Sequence, residues 1–384
     1  MQPLEHIKVI DLSRVYAAPA GSMILGDLGA EVIRVEHPNG SDSMREWGPF
    51  IENQSTYYLC ANRNKKSIIV DLKSPEGKEQ FKELIKDADV LLENFKTGDM
   101  KRMGLHYDEL KKINPRLIHC AVTGFGQTGP LANEPGFDPV IQAMSGLMDV
   151  TGDPDGEPTK VGVPIADILT SLYVVIGVLS ALRMRDVTNE GQYIDLSLLD
   201  VQVSSLANVA SAYINAGFIS KRLGNRHNNV APYQVFDCLD GPLMICAGTN
   251  DQFRKLCIIL GHEEWVQDER FLTNSLRKQN EALLVELISE ITMTKCRDEW
   301  IALLQDYKIP GGKVQTIDEA FEHPQVKARN MIGEIEHGQY GKIKFVKNPL
   351  QFSGLNIQYK LAPPILGEHT VQFERVFANE KSTL

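Results

Sequence analysis

Long apolar runs are missing from this 384-residue chain. The longest, residues 172–182, is interrupted by Gly177 and Ser180 and falls short of the roughly 20 residues that cross a bilayer. Residues 1–6 lack the basic and apolar layout of a leader, so the expectation is a soluble, cytoplasmic protein with no membrane partner. Positive charge is also short. Forty Lys and Arg stand against 50 Asp and Glu, a net charge of −10, which argues against a nucleic-acid partner. The six cysteines are scattered without a CxxC pair, which excludes a disulfide framework and reads as reduced thiols. Nine histidines give neither HExxH nor a close pair, so no metal is expected. Residues 13–19 contain no glycine, which rules out the GxGxxG turn, and neither GxxxxGK[ST] nor GxSxG occurs.

What is present is an alternation of strands and helices. Residues 7–12 (IKVIDL) read as a strand, 18–28 as a helix with Gly29 as its C-cap, and 32–35 as a second strand. Strand, helix and strand within about 30 residues make a βαβ unit and imply a parallel sheet. The pattern continues with a strand over 67–72, a helix over 75–86, a strand over 89–93, a helix over 107–112 and a strand over 117–122. The expected fold is α/β, a doubly wound, Rossmann-like parallel sheet, with a smaller α+β domain. At this length about two domains are expected. We assign residues 1–205 and 340–384 to the large domain, 225–325 to the small one, and 206–224 and 326–339 to linkers.

Asp167 is the most informative residue. It interrupts an apolar stretch, Val163-Pro164-Ile165-Ala166-Asp167-Ile168-Leu169, where helical spacing begins (Leu169, Leu172, Ile176, Leu179, Leu182). In a first helical turn, free backbone N–H groups and the helix dipole favour an ionised carboxylate. A carboxylate nucleophile needs that setting, and an ordinary N-cap needs it equally. Local sequence alone favours the cap.

Several stretches together resemble the family III CoA-transferases, over residues 4–369. They are Leu12 to Pro19 (LSRVYAAP), Leu28 to Glu36 (LGAEVIRVE), Asn64-Lys65-Lys66-Ser67, Asp71-Leu72-Lys73, Glu93-Asn94-Phe95, Arg102-Met103-Gly104, Gly124 to Pro130 (GFGQTGP), Gly224-Asn225-Arg226-His227 and Leu366 to Thr370 (LGEHT). The resemblance puts Asp167 on the family's catalytic aspartate and turns the balance from cap to nucleophile. It implies CoA contacts at Val15, Tyr16, Ala17, His37, Val70, Lys73, Asn94, Phe95, Lys96, Arg102 and Met103. Around the acyl group it implies Phe137 and Asp138, with Trp47 as a pocket wall and Arg14 and Arg45 as candidates for a substrate's distal carboxylate.

The implied reaction moves CoA from an acyl-CoA donor, succinyl-CoA or similar, to a carboxylic acid acceptor, a dicarboxylate. It passes through aspartyl anhydride and aspartyl-CoA thioester intermediates. CoA and its esters enter as substrates, with no tightly bound cofactor, and an interlocked homodimer is implied. An α-methylacyl-CoA racemase is the nearest rival, but Phe137 and Asn250 stand where that group has proton-handling residues. A catalytically silent CoA-binding protein is the other alternative.

Overall fold

The computed structural model describes residues 1–40 and 42–378; the end of the expected large domain, 379–384, lies outside the described residues. The chain divides into two units, one of Met1–Met148, Lys160–Ser220 and Asn330–Leu384, the other of Asp149–Thr159 and Lys221–Arg329.

The larger unit is built on six strands: β1 (Lys8–Asp11), β2 (Glu31–Glu36), β3 (Lys65–Ile69), β4 (Val90–Glu93), β5 (Ile118–Thr123) and β6 (Tyr193–Ser197). They form one sheet in the order β3-β2-β1-β4-β5-β6, with every pair parallel. This is the doubly wound order, with helices on both faces. Strands buried on both sides must be apolar almost throughout, which is why segments such as VLLE and IHCAVT carry no clean alternation. On one face Val9, Val90, Leu92, Ile118 and Cys120 meet helices α1 (Ala17–Asp27) and α6 (Ile165–Thr188). On the other, Ile10, Ile33, Ile68 and Leu91 pack on Phe81, Leu84 and Ile85 of α2 (Pro75–Lys86). Between these, α3 (Asp99–Met103), α4 (Tyr107–Ile113) and α5 (Asp138–Met144) follow in chain order.

Several boundaries differ from the sequence reading. The third strand ends at Ile69 rather than 72, because its neighbour β2 ends at Glu36 and Pro38 follows. Residues 70–73 thus leave the sheet at its carboxyl edge. The expected linker 206–224 contains a helix, Ala207–Ala216, ended by Gly217 at φ 65°. Alanine and the lack of proline or glycine make that stretch helical. The expected linker 326–339 holds a strand, Ile332–His337, which pairs antiparallel with Gly341–Val346 in the larger unit. Gly29 follows the helix cap Leu28 rather than forming it; at φ 107°, a Cβ there would meet Gln2 at 2.3 Å.

Helix α6 also exceeds expectation. Gly177 and Ser180 do not interrupt it, and by length and composition its 24 residues suffice to cross a membrane, with mean hydropathy 2.1 over an 18-residue window. It serves here as a core helix, burying Ala166, Val174, Val178 and Ala181 among the side chains of α1 and the sheet. Its buried Arg185 is paired with Asp89 at 2.8 Å.

The smaller unit carries a hairpin, Tyr233–Cys238 and Gly241–Cys246, with Gly311–Lys313 as third strand. Helices Asn250–Leu260, Glu281–Thr292 and Arg297–Asp306 cover it around Phe236, Phe253, Leu284 and Trp300. It is α+β.

Contact between α1 and α6 is tight at Gly21, where a Cβ would stand 2.8 Å from Val174 Cγ1 and 3.2 Å from Ser171 O. At Gly177 the same atom would meet Ile194 only at 3.5 Å. Gly21→Ala is therefore expected to lower stability by about 1–3 kcal/mol through overpacking. Gly177→Ala should be neutral or stabilising by up to about 1 kcal/mol from helix propensity. Thermal or urea unfolding of both variants checks the contrast.

Candidate active site

In this strand order the connections diverge between β1 and β4, and a crevice must open at the carboxyl ends of those strands. The loop after β1 is held there by a buried ionic network. Asp11, fully buried, accepts from Ser13 N (2.9 Å), Ser22 Oγ (2.6 Å) and Lys65 Nζ (3.1 Å). Burial opposes its charge, but Lys65, Arg34 and the two serine hydroxyls outweigh that and hold its carboxyl below the ordinary value. Arg34 on β2 donates to Asp42 and to Asn62 Oδ1 (3.2 Å), and its Nε lies 3.5 Å from Glu36. Asp42 in turn accepts from the backbone N–H of Val15 at 3.1 Å. Asn94 brackets Arg14, accepting from its N–H at 2.9 Å and donating to its C=O at 2.7 Å. These bonds hold Val15, a β-branched residue, at φ 62°. Such a conformation costs on the order of 1–3 kcal/mol and persists only where the surroundings impose it.

Beyond this loop lies a cavity of about 380 Å³, walled by Arg14 to Ala17, by Asn94, Phe95 and Lys96, by residues 132–138 and by Asp167. The wall at 124–138 is closed by two glycines in backbone contact: a Cβ on Gly124 would stand 2.5 Å from Gly136 Cα.

Asp167 occupies the first turn of α6, but it does not cap the helix. Pro164 at the N-cap offers no side-chain acceptor. Asp138, at the start of α5, supplies one from outside: its Oδ1 accepts from Ala166 N at 2.8 Å and lies 3.4 Å from Asp167 N. Its Oδ2 accepts from Gln142 Nε2 at 2.7 Å, and Gln142 Oε1 accepts from Val161 N at 2.8 Å. With the helix terminus satisfied by another residue, neither oxygen of the Asp167 carboxylate has a hydrogen-bond partner among the described residues. Burial and the neighbouring Asp138 charge raise its pKa to about 7.

The predicted residues gather unevenly. Arg14, Val15, Tyr16, Ala17, Asn94, Phe95, Lys96, Phe137 and Asp138 line the cavity with Asp167. His37, Val70, Lys73, Phe95 and Met103 line a second, smaller cavity of about 70 Å³, which shares Arg14 and Phe95 with the first. Asn94 is there through its backbone bracket on Arg14 rather than as a free amide. Three residues lie elsewhere. Arg45 points away into the ionic network, donating to Glu36 (2.7 Å) and Tyr58 Oη (2.6 Å) and stacking 3.8 Å over the Tyr58 ring. Trp47 packs edge-on against Tyr57 at 5.3 Å, outside both linings. Arg102 is exposed and paired with Asp99. By contrast, the Arg14 guanidinium lies 5.2 Å over the Phe95 ring and has no ion-pair partner among the described residues.

Sequence reasoning missed Tyr57, whose hydroxyl is pushed up by burial and by the charges of Asp167 and Asp138. It also missed Gln142 and Asp42. The four-residue spacing from Asp138 to Gln142 on one helix face was the available signal for the first of these.

A family model described as CoA-transferase family III matches residues 4–370. The chain is 42% identical to a succinate–glutarate CoA-transferase from Agrobacterium fabrum, over 96% of this chain and 94% of that protein. It is 41% identical to a succinyl-CoA:glutarate CoA-transferase from Mus musculus, over 96% and 85%. Among solved structures, a CAIB/BAIF family protein from Brucella suis superposes with a TM-score of 0.88 at 43% identity, covering 98% of this chain and 99% of that one.

The geometry predicts a titration near neutrality. Carbon-13 NMR of the carboxyl groups is expected to place the Asp167 midpoint near 7, and Asp138→Asn should move it down by removing a neighbouring negative charge. Because the folded state favours the protonated form, ionising Asp167 costs stability as pH rises from 3.8 toward 7. Asp167→Asn should therefore raise the melting temperature more at pH 8 than at pH 5.

Proposed function

The chain belongs to CoA-transferase family III and moves CoA between carboxylic acids; from that premise we propose that Asp167 carries the transfer covalently. The observation that supports this most directly is its unpaired carboxylate, set in the first turn of α6 within a cavity that adjoins the His37–Val70–Lys73 recess. An Asp167 oxygen attacks the donor's thioester carbon, the C–S bond breaks, and CoA leaves as thiolate from a mixed anhydride. The thiolate then attacks the Asp167 carbonyl, releasing the donor acid and leaving an aspartyl-CoA thioester. The acceptor carboxylate attacks this thioester and forms a new anhydride. The returning thiolate takes the acceptor's acyl group and frees Asp167. Each step exchanges one activated acyl bond for another, so no external energy source is required. Both intermediates hydrolyse in water, and burial of Asp167 to 9% exposure limits that loss.

Adenosine and phosphates of CoA are held in this reading along His37, Val70, Lys73 and Met103, and its thiol arm passes Phe95 toward Asp167. Lys96 supplies positive charge at the rim. The substrates are dicarboxylates, with succinyl-CoA as donor. The relatives named for succinate and glutarate favour this, and Arg14 provides a cation in the cavity that has no ion pair among the described residues. Arg45, already satisfied by Glu36, is not part of it. The active form is a cytoplasmic homodimer. Leu172, Ile176 and Leu179 of α6, with Tyr213 and Ile214 of the helix Ala207–Ala216, leave an apolar surface that a second copy would cover.

Incubation with succinyl-CoA and hydroxylamine, followed by peptide mapping, is expected to place the trapped adduct on Asp167 and to find none in Asp167→Ala. An adduct elsewhere, or an active alanine variant, would sink the mechanism. Because kcat/KM reports the free enzyme, it should rise with pH and level off above about 7. Arg14→Gln should raise KM for glutarate about 10- to 100-fold, the loss of one charge-assisted contact of about 1.5–3 kcal/mol. The same variant should change KM for butyrate by less than about threefold, and comparing the two acids in steady-state assays checks it.

A further inference from the structure

A third cavity, of about 350 Å³, opens beside β4, β5 and β6; it shares Lys96 and Thr97 with the first cavity but is lined by neither Asp167 nor Arg14. Its floor comes from three adjacent strands. His119 pairs with Tyr193 on one side and with Leu91 on the other, so Glu93, two residues beyond Leu91, projects from the same sheet face. Tyr107 of α4 forms a side wall, with ring centroids 5.6 Å from Tyr193 and 6.2 Å from His119. His119 itself is 1% exposed, yet neither ring nitrogen has a hydrogen-bond partner among the described residues. Glu93 Oε1 lies 3.7 Å from His119 Nε2, too far for a direct bond, while Oε2 is committed to the N–H of Phe95 at 2.7 Å. Thr97 Oγ1 and His106 Nδ1, on the same lining, are buried and unpartnered as well. Buried polar groups are as a rule satisfied, so three orphans converging on one cavity point to an occupant.

The arrangement specifies that occupant's chemistry. A hydroxyl set to one side of the His119–Glu93 pair, at the apex of a triangle, would accept from the ring N–H and donate to the carboxylate, and so bridge a separation of 3.7 Å that is too long for a direct bond. The walls of Tyr107, Tyr193 and Met100 suit a flat apolar body. At the rim stands Lys101, which has no ion-pair partner among the described residues and is placed to take a carboxylate. We propose that this cavity is a second small-molecule site that takes a hydroxylated aromatic acid, hydroxyl inward and carboxylate at Lys101.

Calorimetric titration of the intact chain with 4-hydroxybenzoate, and with benzoate as the control lacking the hydroxyl, tests this. Saturable binding of 4-hydroxybenzoate is expected, with affinity at least tenfold weaker for benzoate and at least tenfold weaker in His119→Gln and in Lys101→Glu. Asp167→Asn and Arg14→Gln should bind it as the parent does, which separates this site from the transfer cavity. Lys101 is exposed, so its variant gives a reading even if His119→Gln does not fold. Absence of binding, equal affinity for benzoate, unchanged affinity in Lys101→Glu, or a loss in Arg14→Gln would each overturn the proposal.

Discussion

Everything at the carboxyl edge of the sheet depends on one buried ionic network, in which Asp11, Glu36 and Asp42 face Arg34, Arg45 and Lys65. Six charges withdrawn from water are tolerable only because each has an opposite charge and further hydrogen bonds. Removing one partner would strand another, so the network is rigid as a unit. Its product is the loop after β1: Asp42 and Asn94 hold Val15 in a conformation that a β-branched residue does not adopt by itself. A glycine would reach that conformation freely, but a glycine would not remain there. The chain thus replaces the glycine-rich turn of dinucleotide-binding sheets with a turn imposed by its surroundings.

A second economy operates at α6. Helix starts need acceptors, and an aspartate in the first turn is ordinarily consumed as one. Here Asp138 takes that duty from a separate helix, backed by Gln142. The Asp167 carboxylate remains without a hydrogen-bond partner among the described residues. Burial raises its pKa most, and the carboxylate that relieves it of capping adds to that rise. The site therefore trades ease of ionisation for a carboxylate that no protein donor among the described residues holds.

Much of this was legible in the chain. Strand and helix alternation through residue 123 follows from local apolar patterns, and the parallel, doubly wound sheet follows from their order. Short-range signals served as well: Pro75 opens a helix that runs to Lys86, and Asp167 falls in the first turn of its helix. Where reading failed, the deciding partner was distant in sequence. The strand over 67–72 stops at Ile69 because of where β2 stops. Residues 207–216, read as a linker, differ for a local reason instead: alanine outweighs the turn signals that begin only later.

Arg14 and Arg45 show the division most clearly. In sequence they are equal candidates for a substrate carboxylate. In the structure Arg45 pairs with Glu36, from a strand nine residues back, and with Tyr58, while Arg14 has no ion pair among the described residues and lies over the Phe95 ring. The sequence by itself determined the element order through residue 123 and the family, and it singled out Asp167, since these rest on local propensity and on motifs read in line. Only the tertiary structure decided which carboxylate caps and which stays free, and which arginine is neutralised and which faces the cavity. A charge is spent or spared according to what lies within about 4 Å of it, and the fold chooses those neighbours, whether they stand nine residues away, as Glu36 does from Arg45, or 28, as Asp138 does from Ala166.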